Sequence, residues 1–162
     1  MKVCIVHEEP VGQDRNHLAH ADLAPFGLDG YVEQLWLKPI GDEAFSVSCI
    51  PFRTYGLALG DQVRLSINGE VCELVGRSLH RVLRVFLMPD PIPERLMETT
   101  DSIRAEIRSA GLLSEWSSDH HLAVDVPPGM NAWPLLKVTH REVTMRHALT
   151  EWADMVPFSA RQ

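Results

Sequence analysis

The chain has 162 residues, of which 45% are hydrophobic, and this suits one compact domain or two small halves that share a core. Its formal net charge of −7, without a basic stripe, argues against a nucleic-acid ligand and favours a protein partner with a basic surface. An apolar run of about 18 residues, a secretory leader and a CxxC pair are all missing from the sequence, which predicts a cytoplasmic protein with free thiols and no membrane contact.

Residues 1–30 are interpreted as an N-terminal arm, because Gly, Asp, Asn and Pro are mixed there with few periodic apolar positions. His17 and His20 have H-x-x-H spacing, which on a helix would place both rings on one face, toward Zn²⁺. The helical periodicity is weak and the sequence specifies no third ligand. We therefore expect neither a metal nor another cofactor.

Residues 31–79 follow a period of two, which predicts short antiparallel strands. One hairpin is predicted around the Gly41-Asp42 turn and a second around Asn68-Gly69, where an Asn-Gly pair lies between alternating runs. A fifth strand follows at residues 80–88. Five short strands with tight turns predict a small β-barrel-like N-terminal half.

The segment between the two hairpins is apolar and irregular, reading IPFRTYGLALGD over residues 50–61. Pro51 lacks the N–H that a strand ladder needs, so the preceding strand ends there. We interpret the segment as a crossover between the hairpins, with Phe52, Leu57 and Leu59 in the core. That role accounts for its apolar residues but requires neither Arg53 nor Tyr55.

Residues 80–162 are predicted to form a ferredoxin-like βαββα half that shares a core with the first half. Pro93 suits the first turn of one helix and Gly111 its C-terminal cap, and a hairpin is predicted to follow. Apolar residues spaced by three and four from Leu135 to Val156 predict a last helix, in which a break near residues 139–141 is left open. Glu142 interrupts this apolar stripe, so it pairs with an Arg, faces a cavity or marks a break.

The sequence identifies no catalytic residue. It contains no G-x-S-x-G nucleophile elbow and no glycine-rich phosphate loop of the G-x-G-x-x-G or Walker type. Cys4, Cys49 and Cys72 have no recognisable activating partner and are interpreted as small hydrophobic residues.

Four side chains are the candidates for binding a ligand or partner: Arg53, Tyr55, His80 and Arg84. His80 and Arg84 are an even number of residues apart on the strand predicted at 80–88. They therefore share a face that suits an anion or a carboxylate, or else they flank the core at its rim. Arg53 and Tyr55 are of residue types favoured at binding hot spots, and we expect both to be partly exposed beside that strand.

Three segments carry a resemblance to a known family: the run from Val32 to Leu65, the strand GRSLHRVLRV, and LAVDVPPG near residue 125. Their order and spacing resemble an uncharacterised bacterial family, mainly actinobacterial, that is designated domain of unknown function number 4265. The resemblance covers residues 32–130, and in it the strand Ser78–Arg84 keeps the His and the final Arg of a GHSTLR-like pattern. It implies a shared architecture and a cytoplasmic bacterial setting, with no established activity.

Two classes of function remain. The first is a non-catalytic binding or accessory protein, of the immunity or pathway-accessory type, that docks on a protein partner. The second is a small enzyme or small-molecule binder whose site lies between the two halves and uses His80, Arg84, Arg53 and Tyr55. A polar cavity at the junction favours the second class, and a flat, partly apolar exposed face favours the first.

Overall fold

The computed structural model describes residues 1–160, which form ten strands, two α-helices and two short 3-10 helices at Ala24–Phe26 and Ala153–Met155. The first seven strands precede any α-helix; they are β1 (Val3–Ile5), β2 (His17–Asp22), β3 (Tyr31–Gly41), β4 (Ala44–Val47), β5 (Gln62–Leu65), β6 (Val71–Gly76) and β7 (Arg81–Leu87). The remaining elements are α1 (Pro93–Ala110), β8 (Leu113–Ser118), β9 (His121–Val126), α2 (Trp133–Thr144) and β10 (Ala148–Trp152).

The first sheet has the order β1-β3-β4-β5-β6, with β2 also paired to β3. Both predicted hairpins form, β3 with β4 and β5 with β6. Inward positions alternate along the strands, as the period of two predicts, and enclose a core that includes Leu35, Leu37, Val47 and Val63. A single isolated bridge between His20 and Glu70 connects β2 to the far end of the sheet, but the strands of residues 1–160 form no closed barrel.

The predicted N-terminal arm belongs to this first sheet. In residues 1–30, β1 pairs with β3 in parallel and β2 pairs with β3 antiparallel. His17 and His20 lie on β2, where their odd separation directs them to opposite faces, and the His17 ring packs on Phe45 with 4.6 Å between ring centroids.

The second sheet has the order β10-β7-β9-β8, and all its neighbours are antiparallel. Both α-helices cover one face through a core that includes Leu83, Val85, Ile103 and Leu135. Helix α1 spans the predicted residues and ends at Gly111, whose φ of 67° lies in the left-handed region that favours glycine. The residues predicted as 80–162 thus carry the second sheet, and the last two lie outside the described residues.

The prediction of a helix from Leu135 to Val156 is wrong beyond Thr144. The chain leaves α2 through Arg146, whose φ is 61°, and residues 148–152 become β10, paired antiparallel with β7. The apolar spacing of three and four is compatible with a helix. The backbone of these residues is instead paired along the open edge of β7, a long-range effect that local periodicity does not contain.

The crossover at residues 50–61 lies between the two sheets, as its apolar residues predict. Phe52 and Leu57 are buried as expected, whereas Leu59 is only half-buried. Ile50, Phe52 and Ala58 pack there against Val82 and Ala123 on the face of the second sheet that the helices leave open. The two halves therefore share one interface, built around the crossover. Within the described part of the chain, neither helix combines the length and hydrophobicity needed to cross a bilayer.

Candidate functional site

The buried carboxylate of Glu33 fixes the middle of the crossover backbone. Glu33 Oε1 accepts a hydrogen bond from the N–H of Phe52 at 2.5 Å, and Oε2 accepts from the N–H groups of Arg53 at 3.0 Å and Thr54 at 2.7 Å. The Thr54 hydroxyl donates to the same oxygen at 2.7 Å. Glu33 thus takes the place of a strand partner for three consecutive residues and fixes where the Arg53 and Tyr55 side chains begin.

The charge of Glu33 is compensated by a buried histidine. His7 donates from Nε2 to Glu33 Oε1 at 2.9 Å and from Nδ1 to Glu115 Oε2, and its ring stacks on Phe52 with the centroids 4.1 Å apart. Burial alone would lower the pKa of His7, but hydrogen bonds with Cys49, Glu115 and Glu33 raise it to about 12. His7 is therefore an imidazolium between two carboxylates.

We call His7, Glu33 and Glu115 the inner cluster. The remaining Glu115 oxygen accepts the backbone N–H groups of Val11 and Ile50, both at 2.9 Å. Burial would raise the pKa of Glu33, but the hydrogen bond and charge of His7 hold it at about 2. Every side-chain polar atom of this cluster has at least one hydrogen-bond partner, and the cluster joins β3, β8, the crossover and the N-terminal segment.

A second set of polar residues lies where the crossover meets the face of the second sheet that the helices leave open. A cavity of about 410 Å³ is lined there by Arg53, Arg84, Phe86, His121, Leu149, Thr150 and Glu151. We call it the junction cavity. Its volume falls within the range of roughly 300–1,000 Å³ typical of ligand pockets.

Arg84 is the buried cation of the junction cavity and is only 2% exposed. Its guanidinium donates to the Thr54 carbonyl at 2.6 Å and to Glu151 Oε1 at 3.2 Å, and it lies 4.6 Å from the Tyr55 ring centroid. Its Nε is buried yet has no hydrogen-bond partner among the described residues. A buried polar group of this kind is rare in folded proteins, because leaving it unpaired costs about 1–3 kcal/mol.

Arg53 and Tyr55 are both half-buried and lie beside Arg84. The Tyr55 hydroxyl donates to Glu151 at 2.8 Å, and burial, with the hydrogen bond and charge of Glu151, raises the pKa of Tyr55. The Arg53 guanidinium has no hydrogen bond or ion pair to any residue in the range 1–160. Three of the four sequence candidates are therefore brought together.

His80 lies apart from the other three candidates. It precedes β7, which begins at Arg81, and its Nδ1 is 2.9 Å from both carboxylate oxygens of Asp125. Burial is the largest influence on Asp125 and raises its pKa despite the opposing effect of His80. His80 fixes the end of β9 rather than lining the junction cavity.

Five titratable residues of the inner cluster and the junction cavity were not among the sequence candidates: His7, Glu33, Glu115, His121 and Glu151. His121 lines the junction cavity and its Nδ1 is 2.7 Å from Ser117 Oγ. Burial first, and then the charges of Arg53 and Arg84, lower the pKa of His121 to about 3, so that the ring is neutral. Of these residues, Glu33 could have been detected from the sequence, because it is a carboxylate on the same inward face of β3 as Leu35 and Leu37.

Glu142, which interrupts the apolar stripe of α2, pairs with an Arg as one reading of the sequence expects. It is buried and accepts hydrogen bonds from Arg141 at 2.8 Å, Thr99 at 3.1 Å and His147 at 2.9 Å. These bonds hold α2 against α1 and fix the chain where it leaves the helix. We assign Glu142 a structural role.

Fold and site together define a small α+β protein of two sheets with a cationic cavity at their junction. The chain belongs to the family described as a domain of unknown function (DUF4265), whose model matches residues 33–142. The resemblance seen in the sequence is thereby confirmed. The matched range includes Arg53, Arg84 and His121 and ends before Glu151.

A solved structure described as a novel crystal structure of a hypothetical protein from Neisseria gonorrhoeae has a similar fold. The TM-score is 0.62 at 19% sequence identity, and the alignment covers 85% of this chain and 95% of that one. A similarity at this identity shows the fold alone. None of the curated proteins matches the chain.

Proposed function

We propose that this protein is a non-catalytic binding protein that recognises the anionic group of a small molecule in the junction cavity. One observation carries the proposal: Arg84 is buried, cationic and bonded on two sides, while its Nε remains unpaired. Buried charges are normally paired and fully hydrogen-bonded, and an anion beside Arg84 completes its set of bonds.

Arg53 strengthens the case because it places a second guanidinium at the same cavity, without a hydrogen bond or ion pair to residues 1–160. Two arginines converging on one cavity bind planar oxyanions in a fork geometry that a lysine does not reproduce. A catalytic role is less well supported. Glu151, the carboxylate suited to act as a base, already accepts hydrogen bonds from Tyr55 and Arg84.

The test is a titration of the protein with acetate and with inorganic phosphate. Binding is monitored by isothermal titration calorimetry and by NMR of the His121 ring. We expect saturable binding that weakens by more than tenfold, about 1.4 kcal/mol, in Arg53→Ala. Arg64→Ala is the matched control, because Arg64 lies on β5 and pairs with Glu73 at 2.9 Å, outside the cavity. Equal binding by the two variants, or no saturable binding of either anion, overturns the proposal.

A second candidate function is docking on a protein partner, and a separate observation favours it. A cleft of about 580 Å³ lies between α2 and β10, and its lining includes Trp133, Leu136, Val143 and Trp152. Trp133 is 68% exposed, and β10 is an edge strand that pairs with β7 alone within the described residues. Exposed apolar clefts beside a free strand edge are typical of protein interaction sites.

Co-purification from the native host, with mass spectrometry for proteins and small molecules, tests this second candidate. We expect a partner with a basic surface, given the net charge of −7, that is retained by the wild type and lost by Trp133→Glu. Ile67→Glu is the control, because Ile67 is equally apolar and fully exposed but lies in the β5–β6 turn. Loss of the partner in both variants counts against docking at this cleft.

The finer architecture and the compartment belong to the same proposal. The order β7-α1-β8-β9-α2-β10 is that of a split βαβ unit, which supports a ferredoxin-like second half with a complete last strand. The cysteines of the described chain, Cys4, Cys49 and Cys72, are free thiols, which fits a reducing compartment such as the cytoplasm.

A further inference from the structure

Resting on the anion recognition proposed above, we propose that the ligand is a small amphipathic monocarboxylate whose flat apolar body lies on β10, β7 and β9. The junction cavity has two unlike parts, an apolar floor and a cationic wall. The carboxylate faces Arg84 and Arg53, and the apolar body lies on Leu149 and Phe86.

The register of the strands defines the floor. Leu149 is paired with Phe86 across β10 and β7, and Phe86 is paired with His121 across β7 and β9. These three side chains form a row across the sheet, on the face that the helices leave open. Leu149 is 58% and Phe86 38% exposed, which is high for apolar residues in paired strands, and an apolar ligand on this row removes that surface from water.

The cationic wall is the next row of the same face. Glu151 pairs with Arg84 across β10 and β7, two residues from the apolar row on each strand, and Arg53 approaches from the crossover. The two rows lie side by side because alternate residues of a strand share one face. A ligand whose charge is attached to a flat apolar body matches both rows at once.

The charges around the wall favour a single negative charge on the ligand. Arg53 and Arg84 supply two positive charges, and Glu151 supplies one negative charge in the same cavity. His121 adds none, because burial and the two arginines keep its ring neutral. The charge of Glu33 also acts on Arg84, so a dianionic phosphate monoester meets repulsion from Glu33 and Glu151 on both of its charges, whereas a monocarboxylate meets it on one.

The shape of the anion points the same way. A carboxylate is planar and accepts two parallel hydrogen bonds from a guanidinium edge. Arg84 contributes one unpartnered donor, Nε, because its terminal nitrogens are engaged by Thr54 and Glu151. Arg53 is available to donate to the second carboxylate oxygen.

Calorimetric titration with four probes tests the inference: phenylacetate, acetate, phenyl phosphate and phenylacetamide. We expect phenylacetate to bind at least tenfold more tightly than acetate or phenyl phosphate, and phenylacetamide to show no measurable binding. Phe86→Ala is expected to remove most of the preference for phenylacetate over acetate, measured as the ratio of the two affinities. Val75→Ala is the matched control, because Val75 is 37% exposed on β6, outside the cavity.

The possible outcomes separate this inference from the proposed function. Equal affinities for phenylacetate and acetate, or tighter binding of phenyl phosphate, overturn the inference and leave anion recognition standing. Failure of every anionic probe overturns both. Leu149→Ala provides a second variant should Phe86→Ala fold poorly, and an unchanged preference in that variant also contradicts the inference.

Discussion

The inner cluster and the junction cavity are two answers to one physical problem, the burial of charge. In the inner cluster, His7 lies between Glu33 and Glu115, and each carboxylate oxygen is also accounted for. At the junction, Arg84 lines a cavity and is also buried, but its Nε has no hydrogen-bond partner among the described residues. The comparison teaches that buried charges differ in whether their hydrogen bonds are complete, and the incomplete set at Arg84 is the reason for proposing a site there.

The two regions are also mechanically linked. Glu33 holds the N–H groups of Phe52, Arg53 and Thr54, and the carbonyl of Thr54 is the acceptor for Arg84. The closed cluster therefore sets the geometry of the open one. The following substitutions test this link, either by disrupting the inner cluster or by changing the junction cavity alone.

The largest effect is expected from Glu33→Gln, which breaks the closed cluster. It removes the carboxylate charge from the His7 pair and turns one acceptor oxygen into a donor, so a buried imidazolium loses half of its compensation. We expect the free energy of unfolding to fall by about 3–5 kcal/mol in urea denaturation. Glu73→Gln, on an exposed pair with Arg64, is the control and is expected to cost under about 1 kcal/mol. Similar losses in both variants contradict the role given to the cluster.

Gly56→Ala instead perturbs the crossover beside the junction cavity. Gly56 has a φ of 73°, and an added Cβ would collide with the backbone of Pro157 and Phe158, which packs across the crossover. We expect a loss of about 1–3 kcal/mol in unfolding free energy, as for an overpacked site, together with weaker anion binding. Gly27→Ala isolates the cost of the dihedral angle, because Gly27 has a φ of 84° and nothing within 4 Å of the added atom. A larger loss in Gly27→Ala would show that the tail contact is unimportant.

A pH titration distinguishes the inner cluster from the junction cavity, because the pKa of His7 is raised and the pKa of His121 is lowered. His121 has a depressed pKa, so between pH 6.5 and about 3 the unfolded chain takes up a proton that the folded ring refuses, and stability falls as the pH falls. His7 has a raised pKa and is protonated in both states below pH 6.5, so it adds no slope there.

The measurement is the unfolding free energy of wild type and of His121→Asn between pH 6.5 and 5, above the range in which Glu33 titrates. The wild type is expected to lose at most about 1.4 kcal/mol per pH unit more than the variant. Parallel pH profiles of the two proteins would show that His121 is not held neutral by its surroundings.

The smallest effect on stability is expected from the double substitution of Arg53 and Tyr55 by Ala. Both side chains are half-buried at the cavity, so we expect a loss under about 1 kcal/mol, as for ordinary surface changes. Binding of the anion, by contrast, should weaken by more than tenfold, about 1.4 kcal/mol. Unfolding several degrees earlier with unchanged binding per folded molecule would assign both residues to the framework.

Local patterns in the sequence predict much of the fold. The period of two located β3 to β6, and the apolar stripe with Pro93 and Gly111 located α1 at its observed bounds. The strand β10 was missed because residues 148–152 satisfy a helical spacing, and only pairing with β7 makes them a strand. The sequence also predicted a β-barrel-like first half, but the strands of residues 1–160 form no closed barrel. Whether the two edges of a sheet pair with each other is a long-range property that no local pattern specifies.

The candidate site was predictable in part for the same reason. Arg53 and Arg84 stood out because each is a charge within an apolar segment, and the structure places both at one cavity. Glu151 and His121 had no local sequence pattern to identify them. They line the junction cavity only because cross-strand pairing places Glu151 beside Arg84 and His121 beside Phe86. Glu33 was detectable in principle, as a carboxylate at an inward position of an alternating strand, but its partner His7 lies on a different segment.

The wall of the junction cavity that β10 supplies is the last part of the cavity to be synthesised. Arg53 is synthesised long before Glu151 and the tail that packs on Gly56, with an interval on the order of ten seconds at ordinary rates of translation. The first sheet has its strands complete before then, but the cavity stays open on one side until β10 has left the ribosome. A fragment that stops before Ala148 therefore lacks the wall that β10 supplies to the junction cavity.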